Sequence, residues 1–279
     1  MGFAYWFGSL LIGVGPGIAI YSSFVGRKSF LVLLSLASAF YWLLSLFLVA
    51  CIFRGFVPLP LSVGPYAALL LVSVFAQEGL RLVLYWINRR VVSAVNRLAH
   101  TMDMPMLSEL DEREISLSYG MGHGFSHSIF FFVSFLQLAL GDGTYYAETC
   151  PGLSFFLVSA LNSLAFLLLH SFGMVVSFDG MRRKQRYYAA FTPAVHLSAA
   201  LLTLGNLSRG GCVVVAPLVM ALSLTPAAVA ARTSWAIAAQ SPRSYLVGQA
   251  EPGGAEPAAD AGSMSEVPLN GPPGPPGAS

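Results

Sequence analysis

Phe30-Leu-Val-Leu-Leu-Ser-Leu-Ala-Ser-Ala-Phe-Tyr-Trp-Leu-Leu-Ser-Leu-Phe-Leu-Val-Ala-Cys-Ile-Phe53 contains no charged residue, no proline and no glycine. Such a run exceeds the roughly 20 apolar residues that cross a hydrocarbon core about 30 Å thick. Lipid offers the backbone no hydrogen-bonding partner, so the run folds as a helix. Further stretches read the same way at Phe3–Val25, Ser62–Ile87, Ile115–Leu140, Leu153–Phe178, Tyr187–Asn206 and Cys212–Ile237. The 279-residue chain is 56% hydrophobic and 10% charged, with mean hydropathy +0.68. A soluble domain would carry roughly 25% charged residues. The expected fold is all-α, a polytopic membrane protein with seven transmembrane helices over residues 1–239. From 240 to 279 the composition turns to Pro, Gly, Ala and Ser, too poor in apolar side chains to build a core. That segment reads as a disordered tail.

The basic residues set an orientation. Arg27 and Lys28, then Arg89, Arg90, Arg97 and Arg113, then Arg182, Arg183, Lys184 and Arg186, then Arg232 and Arg243 all fall on one side of the seven spans. Arg54 and Arg209 fall on the other, and Arg81 lies within a span. Cytosolic loops carry the excess of Lys and Arg. The N-terminus is therefore expected in the lumen or outside the cell, and the C-terminus in the cytosol. No signal peptide is expected ahead of the first span, which would then serve as its own targeting element. Asn88 to Glu114 is the one long connection, with room for a short interfacial helix.

Ionisable groups inside hydrocarbon cost several kcal/mol and are kept for contact, chemistry or transport. Here His123, His127, His170, His196, Glu78 and Arg81 sit inside the apolar spans, with Gln77 beside them. At 1.5 Å per residue, Glu78, His123, His170 and His196 stand about 12–14 Å inside the basic end of their spans. Four helices thus bring polar groups to nearly one level. The layer must face the bundle interior or a wet cavity opening toward the cytosol. Glu78 and Arg81 are three apart and positioned to pair.

His123 and His127, four apart on one helical face, have the spacing of metal ligands, and His170 and His196 would complete four imidazoles. No carboxylate lies at ligand spacing on these spans, so no metal is expected. An aspartyl protease needs two facing aspartates, and none lies in mid-span. A dyad of Ser126 with His170 lacks any nucleophile motif. Retinal would need a lysine in a span, and the seven-helix receptor motifs are absent.

Gly120, Gly124 and Ser128 recur every four residues, and Gly13 and Gly17 do the same in the first span. Small residues at this spacing let helices approach closely. Two occupants remain open for the Gly120 stripe: another helix of this chain, or a helix of a partner. Cys150 and Cys212 fall near the lumenal face, where disulfides form. A bridge between them and a role as ordinary small apolar residues are both open.

Taken in order, Gly15-Pro16, Phe40-Tyr-Trp42-Leu-Leu-Ser45, Gln77-Glu78-Gly-Leu-Arg81, Gly120-x-x-x-Gly124, Leu169-His170-Ser-Phe and Val195-His196-Leu resemble the anterior-pharynx-defective subunit family of the γ-secretase complex. The resemblance runs over about residues 1–240. Gly122-His123-Gly124 and Glu148-Thr-Cys150 are more similar to plant or algal members. Ser128 stands where the animal pattern has a third glycine. The resemblance implies a non-catalytic scaffold that assembles presenilin with nicastrin and the presenilin enhancer subunit within membrane lipid. It implies no cofactor and no nucleic-acid partner. It also implies residence in the endoplasmic reticulum, Golgi or endosomal membranes and plasma membrane. Gly120 and Gly124 would be assembly contacts, and His170 and His196 the buried pair supporting presenilin. The alternative is a stand-alone transporter or metal-dependent membrane enzyme using Glu78, His123, His170 and His196.

Overall fold

The computed structural model describes residues 2–53, 62–141 and 145–249, with side chains described as far as Ala239. Arg54, Asp142, Gly143, the side chain of Arg243 and the tail beyond 249 lie outside these residues. Among the described residues, seven helices are long and apolar enough to cross a membrane: α1 (Phe3–Val25), α2 (Ser29–Phe53), α3 (Val63–Thr101), α4 (Glu109–Leu140), α5 (Phe155–Arg182), α6 (Arg186–Leu207) and α7 (Gly211–Ala239). The chain is an integral membrane protein. α7 remains helical through Gln249. Met1–Ala239 form one compact unit. Among the described residues there is no β-strand, only an isolated bridge between Ala147 and Cys150.

The centre of the bundle is α5, with 61% of its membrane window buried, against 22% for α1, α2 and α3. Its most extensive contact is with α4, which in turn packs on α2. Glycine makes both seams. A Cβ on Gly124 would stand 2.8 Å from the Leu167 carbonyl oxygen, and one on Gly120 would strike the backbone of Ser171. On the other side of α4, a Cβ on Gly122 would strike the Ser35 carbonyl of α2. Ser128 Oγ donates to the Ser163 carbonyl at 3.5 Å. Gly13 receives the Phe132 ring and Gly17 the Leu167 side chain. The occupant of the Gly120–Gly124–Ser128 stripe is therefore this chain's own α5, one of the two that the spacing left open. Spacing announces a close approach but cannot name what approaches.

The long connection expected at Asn88–Glu114 is also corrected. α3 runs on to Thr101, and α4 starts at Glu109. Asn88–His100 contains no Gly or Pro and keeps a buried face at Asn88 and Val92, so the helix outlasts its apolar stretch. It ends where Asp103 turns left-handed (φ 52°) and Met104 N–H closes back on the Ala99 carbonyl at 2.8 Å. α4 opens with a reciprocal cap. Asp111 N–H donates to Ser108 Oγ, and the Asp111 carboxylate accepts from Ser108 N–H at 3.0 Å.

Candidate functional site: a polar cluster inside the bundle

Glu78 of α3 is the hub. Its Oε2 accepts from Arg81 Nη1 at 2.7 Å, one helical turn away, and its Oε1 meets His196 Nδ1 of α6 at 2.7 Å. Arg81 Nη2 points to His170 Nδ1 of α5 at 3.5 Å. The imidazoles continue the cluster into α4. The His170 ring centroid lies 4.8 Å from His196, 5.3 Å from His127 and 5.6 Å from His123. His123 Nδ1 is held by Ser38 Oγ of α2 at 3.2 Å, and His127 stacks on Phe166 at 4.9 Å. Arg81, His123 and His170 are fully buried or within 1% of it.

This arrangement follows from the sequence by simple steps. Hydrocarbon cannot solvate Glu78 or Arg81, so the helices turn these faces inward and give each charge a partner. The glycine seam brings α4 within backbone distance of α5, which lets His123 and His127 touch His170. Gln77 Nε2 bonds Ser73 Oγ at 3.2 Å. Ser126 Oγ donates to the Gly122 carbonyl at 3.0 Å. Its hydroxyl thus serves its own helix and makes no dyad with His170. Among the described residues, no group of three or more His, Cys, Asp or Glu side chains takes up a metal-holding arrangement.

A cavity of about 280 Å3 borders the cluster on its side away from the basic end. Gln77, His127, His196, Asn162 and Ser163 line it, with Ser159 and Thr203 toward the ends of α5 and α6 away from the basic end. Of the two surroundings expected for the layer, the bundle interior is the one found. Gln77 Oε1, Asn162 Oδ1 and His127 Nδ1 are buried without a protein hydrogen-bond partner.

At the basic end, Asp179 of α5 collects Arg113 of α4 at 2.6 Å, Arg182 at 2.7 Å and Arg183 at 2.9 Å. Glu109 and Glu112 take up Arg182 and Arg183 from the other side. The bond to Asp179, with the charges of Asp179 and Glu109, raises the Arg183 pKa above its ordinary value. Arg113 also donates to Thr233 and Ser234 of α7 at 2.7 and 2.9 Å. At the opposite end, Cys150 is disulfide-bonded to Cys212, their Cα atoms 6.0 Å apart.

Reading the spans one at a time missed Ser38 and the Arg113 hub. The signal for Ser38 is present: Ser35, Ser38 and Ser45 join Trp42 and Val49 on the buried face of α2. Small hydroxyls on a near-heptad rhythm mark a face turned to another helix. Arg113 gave no such signal, because its partners come from two distant helices.

The Aph-1 family ("Aph-1 protein") matches residues 4–236. The chain belongs to the Aph-1 family. Among its Aph-1 relatives, "Gamma-secretase subunit APH1-like" of Arabidopsis thaliana is 38% identical over 220 residues, covering 78% of this chain and 88% of the relative. "Gamma-secretase subunit Aph-1b" of Danio rerio is 29% identical over 211 residues, covering 73% and 79%. "Gamma-secretase subunit APH-1B" of Homo sapiens is 30% identical over 188 residues, covering 65% and 71%. The higher identity to the Arabidopsis relative accords with the plant-like phrases around His123 and Cys150.

Proposed function

We propose that this chain is a non-catalytic γ-secretase subunit, a scaffold that assembles presenilin with nicastrin and the presenilin enhancer subunit. Presenilin would bring the two aspartates of an intramembrane protease. The observation that carries the reading is the Aph-1 match over residues 4–236, together with relatives named as γ-secretase subunits. The geometry supports it in two ways. No aspartate lies in mid-span, and the charges that do lie there close on one another across α3, α5 and α6. Charges that pair within the bundle fix helix positions, which is what a scaffold contributes. The site contacts proposed for assembly are the α4–α5 seam at Gly120, Gly124 and Ser128, the α1 contacts at Gly13 and Gly17, and the His170–His196 pair beneath. They act by holding the shape that partners recognise. The proposed orientation puts the disulfide end in the lumen and the basic end in the cytosol. The proposed locations are the endoplasmic reticulum, Golgi or endosomal membranes and plasma membrane.

A second reading, a transporter or metal-dependent enzyme, is favoured by one observation, the cavity that reaches His127 and His196. An affinity pull-down in mild detergent, with partners and metal read by mass spectrometry, separates the two. Near-stoichiometric presenilin and nicastrin without metal is expected. A lone chain with bound zinc or iron, losing turnover but not abundance on His170→Ala, would establish the second reading instead.

A further inference from the structure

Beyond Asn88, α3 leaves its apolar stretch but stays helical, and one face of this extension carries Arg89, Ser93, Asn96, Arg97 and His100. Steps of three and four residues put these side chains on one side of the helix. With Met106 and Glu112 they line an open groove of about 530 Å3. Leu107 N–H donates to Asn96 Oδ1 at 2.9 Å, fastening the α3–α4 connection to the helix. Arg97 Nη1 is steadied by Ser93 Oγ at 2.8 Å. Among the described residues no carboxylate lies within ion-pair distance of Arg89 or Arg97. The groove's one acid, Glu112, faces Arg182 at 3.5 Å. Positive charge is thus left over in a concave, shaped surface.

The neighbouring aromatic residue sets its depth. Trp86 is 60% exposed and carries the Arg90 guanidinium 4.0 Å over its ring. A tryptophan paired with a cation at the edge of an apolar span marks the membrane–water interface. Arg89 then stands at headgroup level, and Arg97, two turns on, about 12 Å farther out at 1.5 Å per residue. One phosphate cannot serve both guanidinia at that separation. Guanidinium groups match phosphate oxygens in pairs.

We propose that this groove binds a phosphorylated inositol headgroup, with one phosphate at Arg89 and a second toward Arg97. The site lies apart from the buried cluster and does not depend on the scaffold reading. A diffuse attraction of the basic end for any anionic surface is the competing account, and the test is built to separate them. Full-length chain is placed in phosphatidylcholine nanodiscs containing phosphatidylinositol bisphosphate or phosphatidylserine at matched total charge. Retained lipid is read by native mass spectrometry, and soluble inositol trisphosphate is titrated against detergent-solubilised chain in parallel. We expect at least fivefold greater retention of the bisphosphate lipid. Arg89→Gln with Arg97→Gln should abolish the preference, and each single change should weaken it. Arg27→Gln, at the same end but outside the groove, should leave it unchanged. Trisphosphate binding without lipid preference, lost in the same variants, would keep the groove and assign it to a free inositol phosphate. Equal retention of both lipids without trisphosphate binding, or equal loss with Arg27→Gln, would overturn the proposal. The single variants decide the matter if the double one fails to fold.

Discussion

The chain holds two sets of ion pairs that look alike in distance and differ in surroundings. Inside the bundle, Glu78 has one guanidinium and one imidazole, each at 2.7 Å. At the basic end, Asp179 has three guanidinia within 2.9 Å, and Glu109 and Glu112 overlap with two of them. The first set has no substitute partner, because lipid supplies none. The second has spare partners and nearby water. Pair distance therefore says little about what a pair is worth; the medium and the number of alternatives decide.

Removing the Arg81 guanidinium tests this most severely. Arg81→Leu leaves Glu78 with only the His196 imidazole in the interior, and breaking a buried pair typically costs about 3–5 kcal/mol. A large fall in thermal midpoint of the detergent-solubilised chain is expected, with partial recovery when Glu78→Gln is added. If Arg81→Leu costs no more than the same change at Arg182, the contrast between the two sets collapses.

The glycine seam beside the cluster comes next. Gly124→Ala puts a methyl 2.8 Å from the Leu167 carbonyl oxygen, and overpacking of this kind costs about 1–3 kcal/mol. Gly79→Ala, with nothing within 4 Å of the new Cβ, is the paired control and should be neutral or slightly stabilising by midpoint. Gly124→Leu should go further, separating α4 from α5 and lowering recovery of nicastrin and presenilin with the tagged chain. Unchanged recovery of both would remove the seam from the assembly proposal.

Smaller effects belong to the basic end. Arg182→Ala should cost about 1 kcal/mol or less, since Arg113 and Arg183 remain on Asp179, and partly exposed pairs are weak. Its cost should shrink further in high salt, where screening is strong, whereas that of Arg81→Leu should not. Smallest of all, Lys184→Gly should be neutral or stabilising by about 0.5–1 kcal/mol. Lys184 holds a left-handed backbone conformation (φ 56°) that only glycine adopts freely. A clear loss of midpoint there would mean that the Lys184 side chain has a role beyond its backbone.

The contrast also explains which features were legible in the sequence. Charges inside apolar runs stand out, so Glu78, Arg81 and the histidines are identifiable, and equal depth along their spans brings them to one level. The ends of the helices were not legible in the same way. Hydropathy reports where lipid contact stops, whereas the α3 backbone goes on until Asp103 breaks it, beyond the last apolar turn. Nor could spacing say that Gly124 faces Leu167 of the same chain, since a stripe of small residues suits any helix. Charges in water gave the weakest signal. Arg113 looks like any other loop arginine until α5 and α7 come to it.

One feature at the far end bears on the order of events in synthesis. Cys150 precedes α5, and its partner Cys212 stands at the start of α7, 62 residues later. Translation must therefore pass the sixth helix before the second sulfur exists. A nascent chain halted anywhere earlier cannot form this bond. The bond is thus a chemical record that the last helix has been delivered, and a thiol-reactive tag on Cys150 would count the chains in which it has not.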